Sequence, residues 1–96
     1  MFDSPEMRQT LKRLLRSQMA AKGVDYRILS QRLSEHGIVL SESNLRSRVN
    51  SGGMGAQLFL YCQFALHISQ LDMSFVKEIF DESSLNVTDE AVEDFD

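Results

Sequence analysis

The stretch SESNLRSRVNSGG, residues 41–53, has the pattern of a short helix with a cap at its start and glycines at its end. Ser41 is a typical helix cap, and Leu45 and Val49 lie one helical turn apart, so both side chains are expected on one buried side. Two glycines at residues 52–53 end the pattern, because glycine readily adopts the left-handed conformation that stops a helix. We therefore predict a short helix with a two-residue buried side.

The outward side of this helix carries hydrogen-bond donors and cations. Arginine can form two hydrogen bonds to guanine, asparagine can form two to adenine, and serine can bond to a base or a phosphate. At 100° per residue, five side chains share the arc opposite the buried side, and we predict that they contact DNA bases. They are Ser43, Asn44, Arg46, Ser47 and Asn50. The alternative is an ordinary solvated helix surface.

Two helices are predicted before this stretch. The first begins at the cap Ser4 and ends at Gly23, and the second begins at the cap Asp25 and ends at Gly37. In the first helix, apolar residues follow the spacing of a core stripe, beside a basic stripe of Arg8, Lys12 and Arg16. The predicted core stripe consists of Met7, Leu11, Leu14 and Leu15.

Two further helices are predicted after it. The run AQLFLYCQFALHI after Gly55 is apolar on nearly all sides, which is typical of a helix packed at the centre of a fold. Asp72 can cap a fifth helix with a broad apolar face. That face either covers the core of its own chain or forms a homodimer interface. Its residues are Phe75, Val76, Ile79 and Phe80.

These elements predict an all-α, compact five-helix domain. The 96 residues, 43% of them hydrophobic, suit one domain with a single core. We place this domain at residues 1–82 and expect residues 83–96 to form an acidic, flexible tail. The spacing of Val87, Ala91, Val92 and Phe95 would also allow the tail to dock on a partner protein or on the basic surface.

Charge is divided unequally between the halves of the chain. Residues 1–50 contain nine of the ten basic residues and five of the 14 acidic residues, a formal charge of +4. Residues 51–96 contain Lys77 against nine acidic residues, a formal charge of −8. An asymmetry of this kind indicates an anionic partner for the basic half, although the net charge of the chain is −4.

Several sequence features argue against other function classes. A lone cysteine, Cys62, cannot form an intramolecular disulfide and is typical of a reducing, cytosolic setting. No apolar run is long enough for a membrane span, and His36 and His67 are too far apart in sequence to indicate a metal site. No nucleophile elbow, Walker pattern or paired carboxylates are recognisable. We therefore expect neither enzyme activity nor a cofactor, metal or membrane partner.

The sequence resembles helix-turn-helix domains of the Cro and phage-repressor (lambda-repressor-like) type. The resemblance covers roughly residues 8–70 and rests on DYRILSQRL, SESNLRSRVNSGG and the apolar run after Gly55. The chain is also similar to short bacterial proteins of unassigned function with the pattern G-V-x-Y-x-x-L-x-x-R-L…G-I…L-R-x-x-V-x-x-G. The connection from Leu33 to Ser41 is longer than in the usual motif. Either the second helix is longer or the turn is a loop, which affects how deeply the third helix enters a major groove.

The resemblance implies that the residue 42–50 helix is the recognition helix, and that Tyr26 and Arg27 contact the DNA backbone. The glycine-rich start of helix 4 suits phosphate binding, because helix N-termini are partially positive. Together with nearby cations, the predicted backbone contacts are Arg13, Arg16, Tyr26, Arg27, Arg48, Gly53 and Gly55.

The sequence thus predicts a bacterial, cytoplasmic and nucleoid-associated transcriptional regulator that binds double-stranded DNA, as a homodimer. One alternative is a protein-interaction module, such as an antitoxin, an adaptor or a polymerase-binding factor, that uses helix 5 and the acidic tail. Another is a nucleoid-type binder without sequence preference.

Overall fold

A computed structural model describes the backbone of residues 3–93 and the side chains of residues 3–83. Within that range the chain is all-α, with five helices and no strand, as predicted. The helices are α1 (Pro5–Lys22), α2 (Tyr26–Glu35), α3 (Glu42–Ser51), α4 (Gly55–Ala65) and α5 (Met73–Glu93).

Four helices begin at the capping residues expected from the sequence. A side-chain oxygen of each cap accepts hydrogen bonds from backbone N–H groups two or three residues later, at 2.9–3.3 Å. These bonds satisfy donors that the first turn of a helix leaves free. The caps are Ser4, Asp25, Ser41 and Asp72.

The main core lies where α1, α3 and α4 meet around α2. Buried leucines from each of the first three helices, including Leu15, Leu29 and Leu45, pack with Cys62 and Leu66 at the end of α4. α2 packs against α3 and α4, while α1 packs against α3 and α5. This arrangement holds α3 at the surface, with α1 and α2 beneath it.

The connection between α2 and α3 is mainly a loop. α2 continues two residues past Leu33 to Glu35, and residues 36–41 then lead to α3. The Ser30 hydroxyl donates to the Leu40 carbonyl at 2.6 Å, which ties this loop back to α2. Of the two explanations for the long connection, the loop accounts for most of its length.

α5 covers α1 with the residues that we considered for a dimer interface. Val76 and Ile79 are buried against Leu14 of α1 in the same chain. The predicted dimer interface of Phe75, Val76, Ile79 and Phe80 is therefore wrong for these two central residues. Phe75 is exposed and Phe80 is half-buried, so α5 offers only the margins of that face.

α5 also continues across the boundary predicted between domain and tail. We expected a flexible tail from residue 83, but the backbone remains helical to Glu93. The docking contacts predicted for Val87, Ala91, Val92 and Phe95 lie outside the residues whose side chains are described.

The burial of α4 differs from its prediction as a centrally packed helix. Leu60 is 53% exposed and Phe64 57% exposed, whereas Gln63 is buried. Gln63 and Gln18 of α1 donate to each other's side-chain oxygens at 2.7 and 3.0 Å, which satisfies the buried amide. The prediction that Met7 belongs to the core stripe of α1 is wrong, because its side chain is 41% exposed.

Candidate nucleic-acid interface

α3 has the orientation predicted from its sequence. Leu45 and Val49 are completely buried in the main core. The five side chains predicted to contact bases are all exposed: Ser43, Asn44, Arg46, Ser47 and Asn50. One helix therefore presents an uninterrupted polar surface that includes a cation and two carboxamides, and we call these five residues the α3 surface. Contact of the α3 surface with DNA remains a prediction.

The C-terminal end of α3 lies directly on α1. A Cβ atom on Gly52 would lie 2.7 Å from both Cα and the carbonyl carbon of Arg8, and still closer to the Arg8 carbonyl oxygen. Real Cβ atoms do not approach backbone atoms so closely, so this junction requires glycine. Gly52 has φ 68° and a buried backbone, and it sets the distance between α3 and α1.

The same junction places a cation beside the predicted base-contact surface. Arg8, together with Pro5 and Gln9, lines a hollow of about 250 Å³ with Asn50 and Ser51. Arg8 also forms an exposed ion pair with Asp3. The sequence placed Arg8 in a basic stripe but gave no reason to pair it with Asn50, because the two are distant in the chain.

Arg46 is held by two neighbours. Its Nη2 atom lies 3.1 Å from Glu42 Oε1, one turn earlier in α3, and its guanidinium carbon lies 5.1 Å from the centre of the Tyr26 ring. The first is an exposed ion pair and the second a cation–π contact, so each stabilises this position by only about 1 kcal/mol or less. Arg46 is therefore positioned over the start of α2 but can still be moved by a ligand.

Tyr26 lies next to one cation from each of two other helices. It lines a hollow of about 250 Å³ with Asp25 and Arg16 of α1, and Arg46 of α3 lies over its ring. The Tyr26 hydroxyl is buried and has no hydrogen-bond partner among the described residues. Arg27, next in sequence, is exposed. Of the predicted backbone-contact residues, Tyr26 thus contacts the predicted base-contact surface directly, and Arg16 lies next to Tyr26.

Arg13 lies against α5, away from the α3 helix, so its predicted contact with the DNA backbone needs correction. Its Nη2 atom lies 3.0 Å from Glu82 Oε2, and its Nη1 atom is 3.5 Å from the Ser83 hydroxyl. Both partners belong to α5, so Arg13 connects α1 to α5 instead of facing the α3 surface. Arg13 falls outside the basic stripe of Arg8, Lys12 and Arg16, but the sequence alone did not reveal which helix would pack beside it.

Arg48 lies at the edge of the α3 surface. Its Nε atom donates to Asn44 Oδ1 at 3.3 Å, and its side chain also lines a groove next to α4. It can therefore reach a phosphate beside the α3 surface, although it also helps to hold Asn44.

The glycine-rich link gives mixed support for phosphate binding. Gly53 and Gly55 are exposed, and Met54 makes no side-chain cap hydrogen bond at the start of α4 in the described structure. However, the Gly53 N–H already donates to the Ser51 hydroxyl at 3.1 Å. A phosphate at Gly53 would have to displace that hydroxyl, whereas Gly55 requires no such exchange.

The described residues also bear on metal binding, thiol reactivity and membrane insertion. Among residues 3–83, no group of three or more His, Cys, Asp or Glu side chains could hold a metal ion. Burial raises the pKa of the Cys62 thiol to about 11, which leaves it mostly protonated at neutral pH. No helix within residues 3–93 is long and apolar enough to cross a membrane.

Comparison with known proteins identifies the family. No curated protein and no solved structure matches the sequence significantly. A family model described as a domain of unknown function (DUF6471) matches residues 7–71, a segment that includes most of α1 and all of α2, α3 and α4. Since this segment is more than half of the chain, the protein belongs to the DUF6471 family.

Proposed function

We propose that this protein is a sequence-specific DNA-binding transcriptional regulator with α3 as its recognition helix. The observation that carries the proposal is the α3 surface, on which Arg46, Asn44 and Asn50 are exposed while the opposite side of the helix is buried. Arginine and asparagine in the major groove distinguish guanine and adenine, respectively. The protein would act by occupying DNA, without catalysing a reaction.

The neighbouring elements support the proposal with sequence-independent contacts. Tyr26 contacts Arg46 and shares a hollow with Arg16, Arg27 follows Tyr26 in sequence and is exposed, and Arg8 shares a hollow with Asn50. Cations on both sides of a recognition helix can bind the two phosphate backbones that border a groove, which fixes the register of base contacts. The resemblance to lambda-repressor-like helix-turn-helix domains leads to the same proposal.

The first experiment is selection from a random duplex library with the full chain, followed by titration of the best duplex and a scrambled one. We expect an enriched motif. Arg46→Ala should lose about 1–3 kcal/mol on the selected duplex and much less on the scrambled one, because it removes a base contact. Arg16→Ala should weaken both duplexes similarly and lower the slope of log affinity against log salt by about one.

Arg13→Ala is the matched control, since it removes the same charge from α1 but on the side that faces α5. It should leave the affinity for both duplexes nearly unchanged. Failure to enrich any motif, with binding that depends only on salt, would instead indicate a nucleoid-type binder. Equal losses on both duplexes for Arg46→Ala would remove its role in base recognition.

A further inference from the structure

An open, mostly apolar groove lies between the α2–α3 loop and α4. It has a volume of about 310 Å³, and Ile38 and Leu40 of the loop line it together with Met54, Leu58 and Tyr61. Small-molecule sites are typically apolar clefts of about 300–1,000 Å³ with a few polar groups that fix the orientation of the ligand. The groove lies at the lower end of that range, and the proposed DNA contacts do not use its apolar part.

Arg48 of α3 is the one charged residue among those that line the groove. Its side chain is exposed, and no acidic side chain within residues 3–83 forms an ion pair with it. Its Nε atom donates to Asn44 Oδ1 at 3.3 Å, but a neutral carboxamide does not balance the charge. The groove therefore has a cation without a counter-ion beside its apolar wall.

The start of α4 adds to the attraction for an anion. Met54 lies immediately before the helix and makes no side-chain cap hydrogen bond in the described structure. The first N–H groups of a helix carry a partial positive charge. Gln57, in the first turn of α4, lines the groove as well and brings an amide with two N–H donors. A cation, a helix N-terminus and a carboxamide thus border one apolar groove, which favours a ligand with an anionic end and an apolar body.

We infer that this groove is a binding site for a small carboxylate with an apolar body, held at its charged end by Arg48. The planar guanidinium matches the two oxygens of a carboxylate with two parallel hydrogen bonds. One cation balances a single negative charge, whereas a phosphate monoester carries about −1.5 to −2. At about 30 Å³ per water molecule, the groove holds the equivalent of about ten waters, so a ligand of about ten heavy atoms fits it.

Size and charge distinguish this ligand from other occupants. A stable protein interface takes about 20–30 residues on each side, whereas seven residues line the groove. An uncharged apolar molecule would leave the guanidinium without a counter-ion, and a cationic one would be repelled by it. A small apolar carboxylate satisfies both the wall of the groove and Arg48.

Occupation of this site opposes DNA binding, a consequence that rests on the proposed function. Arg48 is a predicted contact of the DNA backbone, and a bound carboxylate neutralises the charge that attracts a phosphate. The carboxylate also competes with Asn44, a member of the α3 surface, for the Arg48 donors. Because coupling between two sites is reciprocal, DNA weakens binding of the carboxylate by the same factor. The groove would thus serve an effector that releases the protein from DNA.

The first test is an NMR titration of the isotope-labelled full chain without DNA. The probes are octanoate and phenylbutyrate, whose apolar bodies are linear and aromatic, respectively. We expect saturable amide shifts around Met54, Gln57 and Leu58, with a dissociation constant of about 1 mM or lower for at least one probe. Octylammonium has an apolar chain like that of octanoate with the opposite charge, and acetate has the same head group without the chain. Both should bind at least about tenfold more weakly, because each lacks one half of the interaction.

Substitution of Arg48 tests the charged end of the site. Arg48→Gln should weaken the better carboxylate about tenfold, because it removes the charge-assisted hydrogen bonds but keeps a polar side chain. It should leave octylammonium binding no weaker. Arg13→Gln is the matched control, since it removes the same group from the side of α1 that faces α5. Arg48 is exposed, so its variant should remain folded, which circular dichroism checks.

The second test measures the affinity of the full chain for its selected duplex with and without the carboxylate. Saturating carboxylate should weaken DNA binding by the wild type severalfold and lower the slope of log affinity against log salt by about one. An equal concentration of acetate controls for ionic strength. Arg48→Gln should show no response to the carboxylate.

Four outcomes decide between the possibilities. Absence of binding for both carboxylates at tenfold the expected dissociation constant overturns the inference, as does a carboxylate affinity that survives Arg48→Gln. Octylammonium binding as tight as that of octanoate also overturns it, and leaves the groove to ligands chosen by their apolar body alone. A chain that binds the carboxylate through Arg48 but selects no DNA motif refutes the proposed function alone. A selected duplex whose affinity is unchanged by the bound carboxylate refutes the effector role.

Discussion

Replacing Gly52 with alanine tests whether the junction between α1 and α3 constrains the structure. Gly52 has φ 68°, a conformation that costs an L-residue about 1–2 kcal/mol. The new Cβ would also lie 2.7 Å from two backbone atoms of Arg8. Because those atoms belong to α1, relief requires movement of a helix, and overpacking of this kind costs about 1–3 kcal/mol.

Two effects act in opposite directions on the total. Alanine also reduces the conformational freedom of the unfolded chain, which stabilises the folded state by about 0.4–1 kcal/mol and offsets part of this loss. We therefore expect Gly52→Ala to lower the free energy of unfolding by about 2–4 kcal/mol. At about 4–8 °C per kcal/mol for a domain of this size, the melting temperature should fall by roughly 10–25 °C.

Gly23→Ala provides the matched control. Gly23 ends α1 with φ 66°, nearly the value at Gly52, but no atom lies within 4 Å of the position that its Cβ would take. Its substitution should therefore show only the conformational cost, with a loss of about 1 kcal/mol. Thermal melts followed by circular dichroism, with urea melts for the free energy, compare the two variants directly.

The difference between the two variants measures the effect of close packing. Equal losses at the two glycines would refute the reasoning, because the Arg8 backbone would then impose no constraint on α3. If Gly52→Ala is the less stable variant, we also expect it to weaken DNA binding in the folded state, because movement of α1 displaces Arg8 from Asn50.

Two further predictions concern the core. Leu14 packs against Val76 and Ile79, so Leu14→Ala should lower the free energy of unfolding by about 2–5 kcal/mol in urea melts. It should also increase amide hydrogen exchange in α5. Unchanged exchange in α5 would argue against that packing. Burial raises the pKa of the Cys62 thiol from its ordinary 9.0 to about 11, and the side chain is completely buried. Alkylation at pH 8 should therefore be at least about a hundredfold slower in the folded chain than in urea. The same shift favours the folded state below pH 9.0, and this contribution is lost as the pH rises through about 11.

The helices and the orientation of α3 could be predicted because their signals are local. A cap such as Ser41 acts on backbone groups within three residues, and Leu45 and Val49 share a side of the helix through its geometry alone. The exposed position of Arg46 and Asn50 follows from the same geometry. Once two buried residues were identified, the opposite surface could be derived without knowledge of any other helix.

The roles of α1 and α4 could not be predicted in this way. Arg8 and Arg16 belong to one basic stripe, yet they lie beside Asn50 and Tyr26, respectively, and nothing in the sequence paired Arg13 with Glu82. A nearly uniform apolar helix likewise has no preferred buried side, because its hydrophobicity does not change around the axis.

The sequence by itself determined that the described chain forms five helices, the caps of α1, α2, α3 and α5, the buried side of α3 and the polar surface opposite it, since these depend on contacts within one or two turns. Only the tertiary structure decided that α5 covers α1 with Val76 and Ile79, that Gln63 is buried while Phe64 is exposed, and that Gly52 lies against Arg8. Those outcomes depend on which helices meet, and that is settled by the competition of all apolar surfaces for one core.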